Sequence, residues 1–187
     1  MAKFTLNVGG MFSGKSTELQ RQGERHIIAG HKVVFIKPEI DTRYSESEVV
    51  THKGQSVKAV AVPTYGELRS FVNPAEVEVV LIDEIQFFSP RIINEIWWLL
   101  GEGVTVYASG LDMNFLGDGF TTTEKLMAMA DTVQKFHAVC EDCGADAVVT
   151  ARRNPESTAV VELGAKESYI PLCRKCFIKY MTTIREK

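Results

Sequence analysis

Directly after the apolar run Phe4 to Val8 comes the stretch Val8-Gly9-Gly10-Met11-Phe12-Ser13-Gly14-Lys15-Ser16-Thr17. It fits few folds. The spacing Gly9-x4-Gly14-Lys15-Ser16 is a phosphate loop, in which the glycines let successive backbone N–H groups turn inward on an anion. Lys15 then reaches the β and γ oxygens of a nucleoside triphosphate, and Ser16 can ligate magnesium. Such a loop joins a parallel strand to a helix whose positive dipole end faces the phosphates, so it predicts an α/β fold.

The remaining pattern agrees. A helix is expected from about Lys15 to Ala29, with Leu19, Gly23 and Ile27 on one face, and a strand over Val33 to Ile36. After Pro38 the segment PEIDTRYSESEVVTHKGQS lacks sustained periodicity and reads as a long mobile loop. Val57 to Val62 is a short strand. Val79 to Ile82 is a continuous apolar run of the kind found in central parallel strands. Ser89-Pro90 reads as a helix start, with Ile92, Ile93, Ile96, Trp97 and Leu100 as the apolar stripe, before another strand at Val104 to Ala108. From about Val139 the texture changes to short strand-like pieces between cysteines. Two units are therefore expected, an α/β nucleotide-binding domain over 1–138 and a cysteine-bearing module over 139–187.

With 187 residues, there is enough chain for one substantial core plus a small module. The formal charge of -3 argues against a non-specific nucleic-acid binder. No apolar run reaches the roughly 20 residues of a membrane span, and no secretory leader is recognisable, so a cytoplasmic protein without nucleic-acid or membrane partners is expected.

A phosphate loop needs an acidic partner at a nearby strand end, and Asp83-Glu84 closes the Val79 to Ile82 run. Asp83 suits magnesium, directly or through water. Glu84 suits accepting a proton from a hydroxyl or orienting a water. Gln86 and Phe87 follow as polar and stacking contacts. The four cysteines form two CxxC pairs, Cys140/Cys143 and Cys173/Cys176, separated by the 29 residues from 144 to 172. A thiol redox motif needs only one pair. Two supply a closed four-thiolate zinc site, with no position left for catalytic water. His137 can be a spare ligand or, more commonly for such a residue, a satisfied surface histidine. Asp41 and Arg43 can reach phosphate or stay solvated, Phe115, Phe120 and Tyr169 can stack on a flat ring or fill the core, and Arg152-Arg153 can meet phosphate or solvent.

GGMFSGKST, DTRY, DEIQFF, LDMNF with Phe120, and the two CxxC pairs with Tyr169 between them resemble, in the same order, the thymidine kinases of the cellular, zinc-containing type. The resemblance runs from Val8 to Cys176. It implies a P-loop parallel sheet with a small zinc-ribbon-like C-terminal module carrying a substrate lasso, and transfer of the ATP γ-phosphate to the 5′-hydroxyl of thymidine with Mg2+ and structural Zn2+. Glu84 would be the general base. Gly9, Gly10, Met11, Phe12, Ser13, Gly14, Lys15, Ser16, Asp83 and Gln86 would serve the nucleotide, as would Asp41, Thr42 and Arg43. Met11, Phe87, Leu111, Phe115, Phe120 and Tyr169 would line the nucleoside pocket, with Val160, Val161, Glu162, Leu163 and Gly164 holding the base through main-chain groups. The family is usually a homotetramer. A departure is Gly10, where many members carry proline, which should loosen the loop slightly. The segment Asp83-Glu84-Ile85-Gln86 also resembles helicase-type motifs, which makes a nucleic-acid-dependent ATPase the rival reading.

Overall fold

The run Val79 to Ile82 is buried along its whole length, so it must lie inside a sheet covered on both faces. The computed structural model, which describes residues 1–41, 48–50, 56–154 and 168–185, places it there. β1 (Phe4–Gly9), β2 (Val33–Pro38), β3 (Glu48–Val50), β4 (Ser56–Val62), β5 (Val79–Ile82), β6 (Thr105–Gly110) and β7 (Thr132–Phe136) form one sheet in the order β3-β4-β2-β5-β6-β1-β7. Six of these strands are parallel, and β3 pairs antiparallel on the edge. Part of the expected loop is thus strand, with Val49 opposite Val57. The β-branched pair Val49-Val50 suits that pairing. Thr42, Arg43 and the segment 160–164 lie outside the described residues.

Alternation along the strands divides the core. Val80 and Ile82 join Leu6, Val8 and Ile36 on the face covered by α2 (Ile92–Gly101) and α3 (Thr121–Met129). Val79 and Leu81 point the other way, to Leu19 of α1 (Lys15–Ile28) and Phe35. α1 buries Leu19 and Gly23 and half-buries Ile27, as its spacing predicts. Truncating Leu81 to Ala in this fully buried position is expected to cost about 2–5 kcal/mol. Urea denaturation measures it, and a loss well under 1 kcal/mol would contradict the packing.

Two helix readings need correction. α2 begins at Ile92, and the Ser89 hydroxyl donates to the Tyr65 carbonyl at 2.8 Å instead of capping the helix. Its buried residues are Ile92, Ile96 and Leu99, while Trp97 is exposed. From Ile92, steps of four and seven residues return to one face, whereas five residues overshoot it by more than a third of a turn.

β8 (Ala138–Val139) pairs antiparallel with β9 (Asp146–Ala147), and β10 (Val149–Arg152) pairs antiparallel with β11 (Tyr169–Leu172). α4 (Arg174–Arg185) follows, a helix that the cysteine-rich texture did not announce. These elements share a small core of Ala138, Ala147, Ala151, Leu172 and the buried cysteines. Among the described residues no helix is long and apolar enough to cross a membrane.

Candidate functional site

The phosphate loop begins where β1 meets its neighbour too closely for any side chain. A Cβ on Gly9 would fall 2.1 Å from the Phe136 carbonyl oxygen, and φ there is +145°, which favours glycine. The loop turns through Phe12, itself at φ 64°, and Gly14 before α1 starts at Lys15. Lys15 is buried and donates to the Gly10 carbonyl at 2.8 Å, and the Ser13 hydroxyl donates to the same oxygen at 2.8 Å. The ammonium is therefore folded into its own loop.

Gly10 has a specific reason to lack a side chain. The Thr150 hydroxyl of β10 accepts the Met11 N–H at 2.8 Å, and a Cβ on residue 10 would come within 2.8 Å of that same oxygen. The loosening expected of this glycine is offset by a fastening from another part of the chain. Thr150 was not foreseen, because 139 positions separate the partners.

The acids lie where the strand pattern puts them. The Ser16 hydroxyl donates to Asp83 Oδ1 at 3.2 Å, the Glu84 N–H donates to it at 2.9 Å, and the Ser109 hydroxyl donates to it as well. Burial raises the Asp83 carboxyl above its ordinary range and the neighbouring Glu84 carboxylate raises it further, against these three donors. A hydroxyl and a carboxylate in contact at the foot of a phosphate loop are hard oxygen donors, the chemistry magnesium takes. Ser16 and Asp83 thus fit that ion.

Glu84 stands at φ 51°, ψ 45°, a left-handed conformation uncommon for a residue with a side chain. Strain of this kind costs about 1–3 kcal/mol and collects at functional sites. The 3-10 turn Ile85–Phe87 follows at once, and the Gln86 amide nitrogen donates to Glu84 Oε2 at 2.5 Å. Gln86 Oε1 accepts the Leu111 N–H at 2.9 Å. Both ends of this buried amide are committed to the site wall, so its visible work is orienting Glu84 and fixing Leu111.

The segment from Leu111 to Phe120 forms the other wall. Buried Asp112 meets Lys135 Nζ of β7 at 2.8 Å, and Asn114 Oδ1 accepts the N–H groups of Leu116 and Asp118. Met11, Phe87, Leu111, Phe115 and Phe120 are partly buried, and Tyr169 is buried in β11. The Arg152 guanidinium sits 4.0 Å from the Phe115 ring centroid, worth up to about 2 kcal/mol when desolvated. Arg152 is buried, while Arg153 is exposed and donates to Glu141. Asp41 is also buried, which removes the reading of a solvated loop charge.

Cys140, Cys143, Cys173 and Cys176 bring their sulfurs within 4.8 Å of one another. None is in a disulfide, and Cys143 Sγ lies 3.6 Å from Cys173 Sγ. Four thiolates at 2.3 Å from a tetrahedral zinc have edges of about 3.8 Å, so the cluster fits that ion. Burial opposes ionisation of Cys140, yet amides of Cys173, Cys143 and Asp142 bring its thiol down to about 6. His137 faces Asp146 at 3.6 Å and is not one of the cluster's four ligands.

The thymidine kinase family profile matches residues 2–177. A thymidine kinase of Bacteroides thetaiotaomicron is 40% identical over 171 residues, 91% of this chain and 84% of that one. A thymidine kinase of Pseudothermotoga lettingae is 36% identical over 177 residues, covering 95% of both chains. Among solved structures, the replication initiator DnaA bound to AMPPCP and single-stranded DNA superposes with a TM-score of 0.44 at 18% identity, over 72% of this chain and 40% of that one. The chain spans less than half the length of that structure, and so loose a superposition adds nothing to the assignment.

Proposed function

The chain belongs to the thymidine kinase family, and we propose that it transfers the γ-phosphate of ATP to the 5′-hydroxyl of thymidine, giving thymidine monophosphate. The observation that carries this reading is the bond from Ser16 of the phosphate loop to Asp83, the residue immediately before Glu84. It links the triphosphate end of the site to the carboxylate that suits the acceptor hydroxyl.

In this mechanism the amides from Gly9 to Ser16 and the start of α1 hold the triphosphate. Lys15 leaves the Gly10 carbonyl for the β and γ oxygens. Ser16 and Asp83 would hold magnesium, which supplies charge neutralisation when bound. Glu84, steadied by Gln86, accepts the proton of the 5′-hydroxyl as its oxygen bonds to the γ-phosphorus and the bond to the ADP oxygen breaks. The transition state is loose, so alignment and charge compensation supply most of the acceleration. Met11, Phe87, Leu111, Phe115, Phe120 and Tyr169 would enclose the nucleoside, with segment 160–164 at the base and residues 41–43 on the nucleotide side. The family likeness further supports a cytoplasmic homotetramer.

The test is a panel of nucleosides incubated with ATP and magnesium and scored for monophosphate. Thymidine is expected to lead. ATP consumption with single-stranded DNA alone, and none with thymidine, would transfer the chain to the ATPase reading.

The four cysteines would hold zinc, tying together the two ends of the segment between Cys143 and Cys173. A structural zinc site contributes folding free energy directly. Stripping the metal is expected to weaken thymidine binding and to lower the melting temperature, by about 2–4 °C for each kcal/mol lost. Calorimetric titration of a verified zinc-free sample checks this, and unchanged affinity would separate the module from nucleoside binding.

A further inference from the structure

A polar row crosses one face of the sheet at the ends of three neighbouring parallel strands. Ile82 lies opposite Ala108 in the β5–β6 pairing, which sets Asp83 beside Ser109. Asn7 lies opposite Ser109 in the β1–β6 pairing. Ser109 is fully buried and Asn7 nearly so, and neither has a part in the mechanism above. The interior of a sheet is a costly place for a hydroxyl and an amide. Their placement calls for a reason.

The Asp83 carboxylate gives it. Its donors from Ser16, Glu84 and Ser109 all land on Oδ1, which leaves Oδ2 as the oxygen for another ligand. Ser16 sits on the phosphate loop and the Glu84 amide is fixed by the chain. Ser109 is the donor that comes from the sheet itself, and its rigid strand position sets how the carboxylate is turned. Asn7 lies beside Ser109 in register, and its own buried amide makes no hydrogen bond among the described residues.

We infer that Ser109 is a positioning residue for magnesium: by donating to Asp83 Oδ1 from the sheet side, it fixes the carboxylate that, with Ser16, would hold the ion. The inference rests on the reading of Asp83 as the magnesium carboxylate. Residues that orient a metal's ligands typically change affinity by about 10–100-fold when removed.

The experiment measures Mn2+ binding by electron paramagnetic resonance, in the full-length protein saturated with a non-hydrolysable ATP analogue. Ser109→Ala is expected to weaken Mn2+ by about 10-fold, while Ser109→Thr, which keeps the hydroxyl, stays close to the parent. If Ser109→Ala does not fold, Ser109→Cys fills the site with a slightly larger and much weaker donor and gives the same comparison. Asp83→Asn serves as the reference. Loss of Mn2+ in Asp83→Asn with parent affinity in the Ser109 variants overturns the positioning role alone. Parent affinity in Asp83→Asn overturns the magnesium reading beneath it.

Discussion

Glu84→Gln is expected to lower turnover by about 10²–10⁴-fold, the range for losing a general base, with thymidine affinity nearly unchanged. The substitution preserves length and shape, and the amide oxygen can still accept from Gln86. What it removes is a group able to take a proton. Because the backbone at this position is left-handed, a β-branched replacement would strain the start of the turn Ile85–Phe87 along with the chemistry. Turnover numbers measured at saturating thymidine and ATP, beside a calorimetric thymidine titration, separate the two effects. Parent-like turnover would remove Glu84 from the role of base.

Lys15→Ala acts at the other end of the transferred group. The ammonium now bonds to the Gly10 carbonyl, within the loop, and must exchange that oxygen for phosphate oxygens when ATP arrives. Loss of this cation from the transferred group is expected to cost about 10²–10³-fold in turnover, with ATP binding weakened and thymidine binding spared. Fluorescent-ATP titration and steady-state kinetics with varied ATP test this. Normal activity with ATP and magnesium would mean that the glycine loop is no phosphate loop.

Much of this site is legible in the sequence because its chemistry is local. The phosphate loop needs its glycines, lysine and serine within eight consecutive residues, and the central strand carries its acids in the two positions after its last apolar residue. Both CxxC pairs likewise declare themselves by spacing. Contacts set by strand register are another matter. Ser109 reaches Asp83 because β5 and β6 lie side by side, and Thr150 reaches Met11 because β10 comes up against the loop. Neither follows from a residue's neighbours in the chain. One usable signal existed, a small polar residue closing the apolar run Val104 to Ala108, but it names no partner. The misplaced stripe of α2 has a similar origin. Trp97 and Leu99 are both apolar, and only the face with which the helix packs on the sheet decides which of them is buried.

The hydroxyl lodged against Gly10 bears on how such enzymes can be recombined. Grafting the C-terminal, cysteine-bearing part of a relative onto the N-terminal part of this chain would keep this fastening only if the graft brings a short oxygen-bearing residue to position 150. In the reverse cross, a recipient with a side chain at position 10 would turn the threonine hydroxyl aside and lose its bond to the residue 11 N–H. Positions 10 and 150 are therefore a pair to match, readable before a single chimera is made.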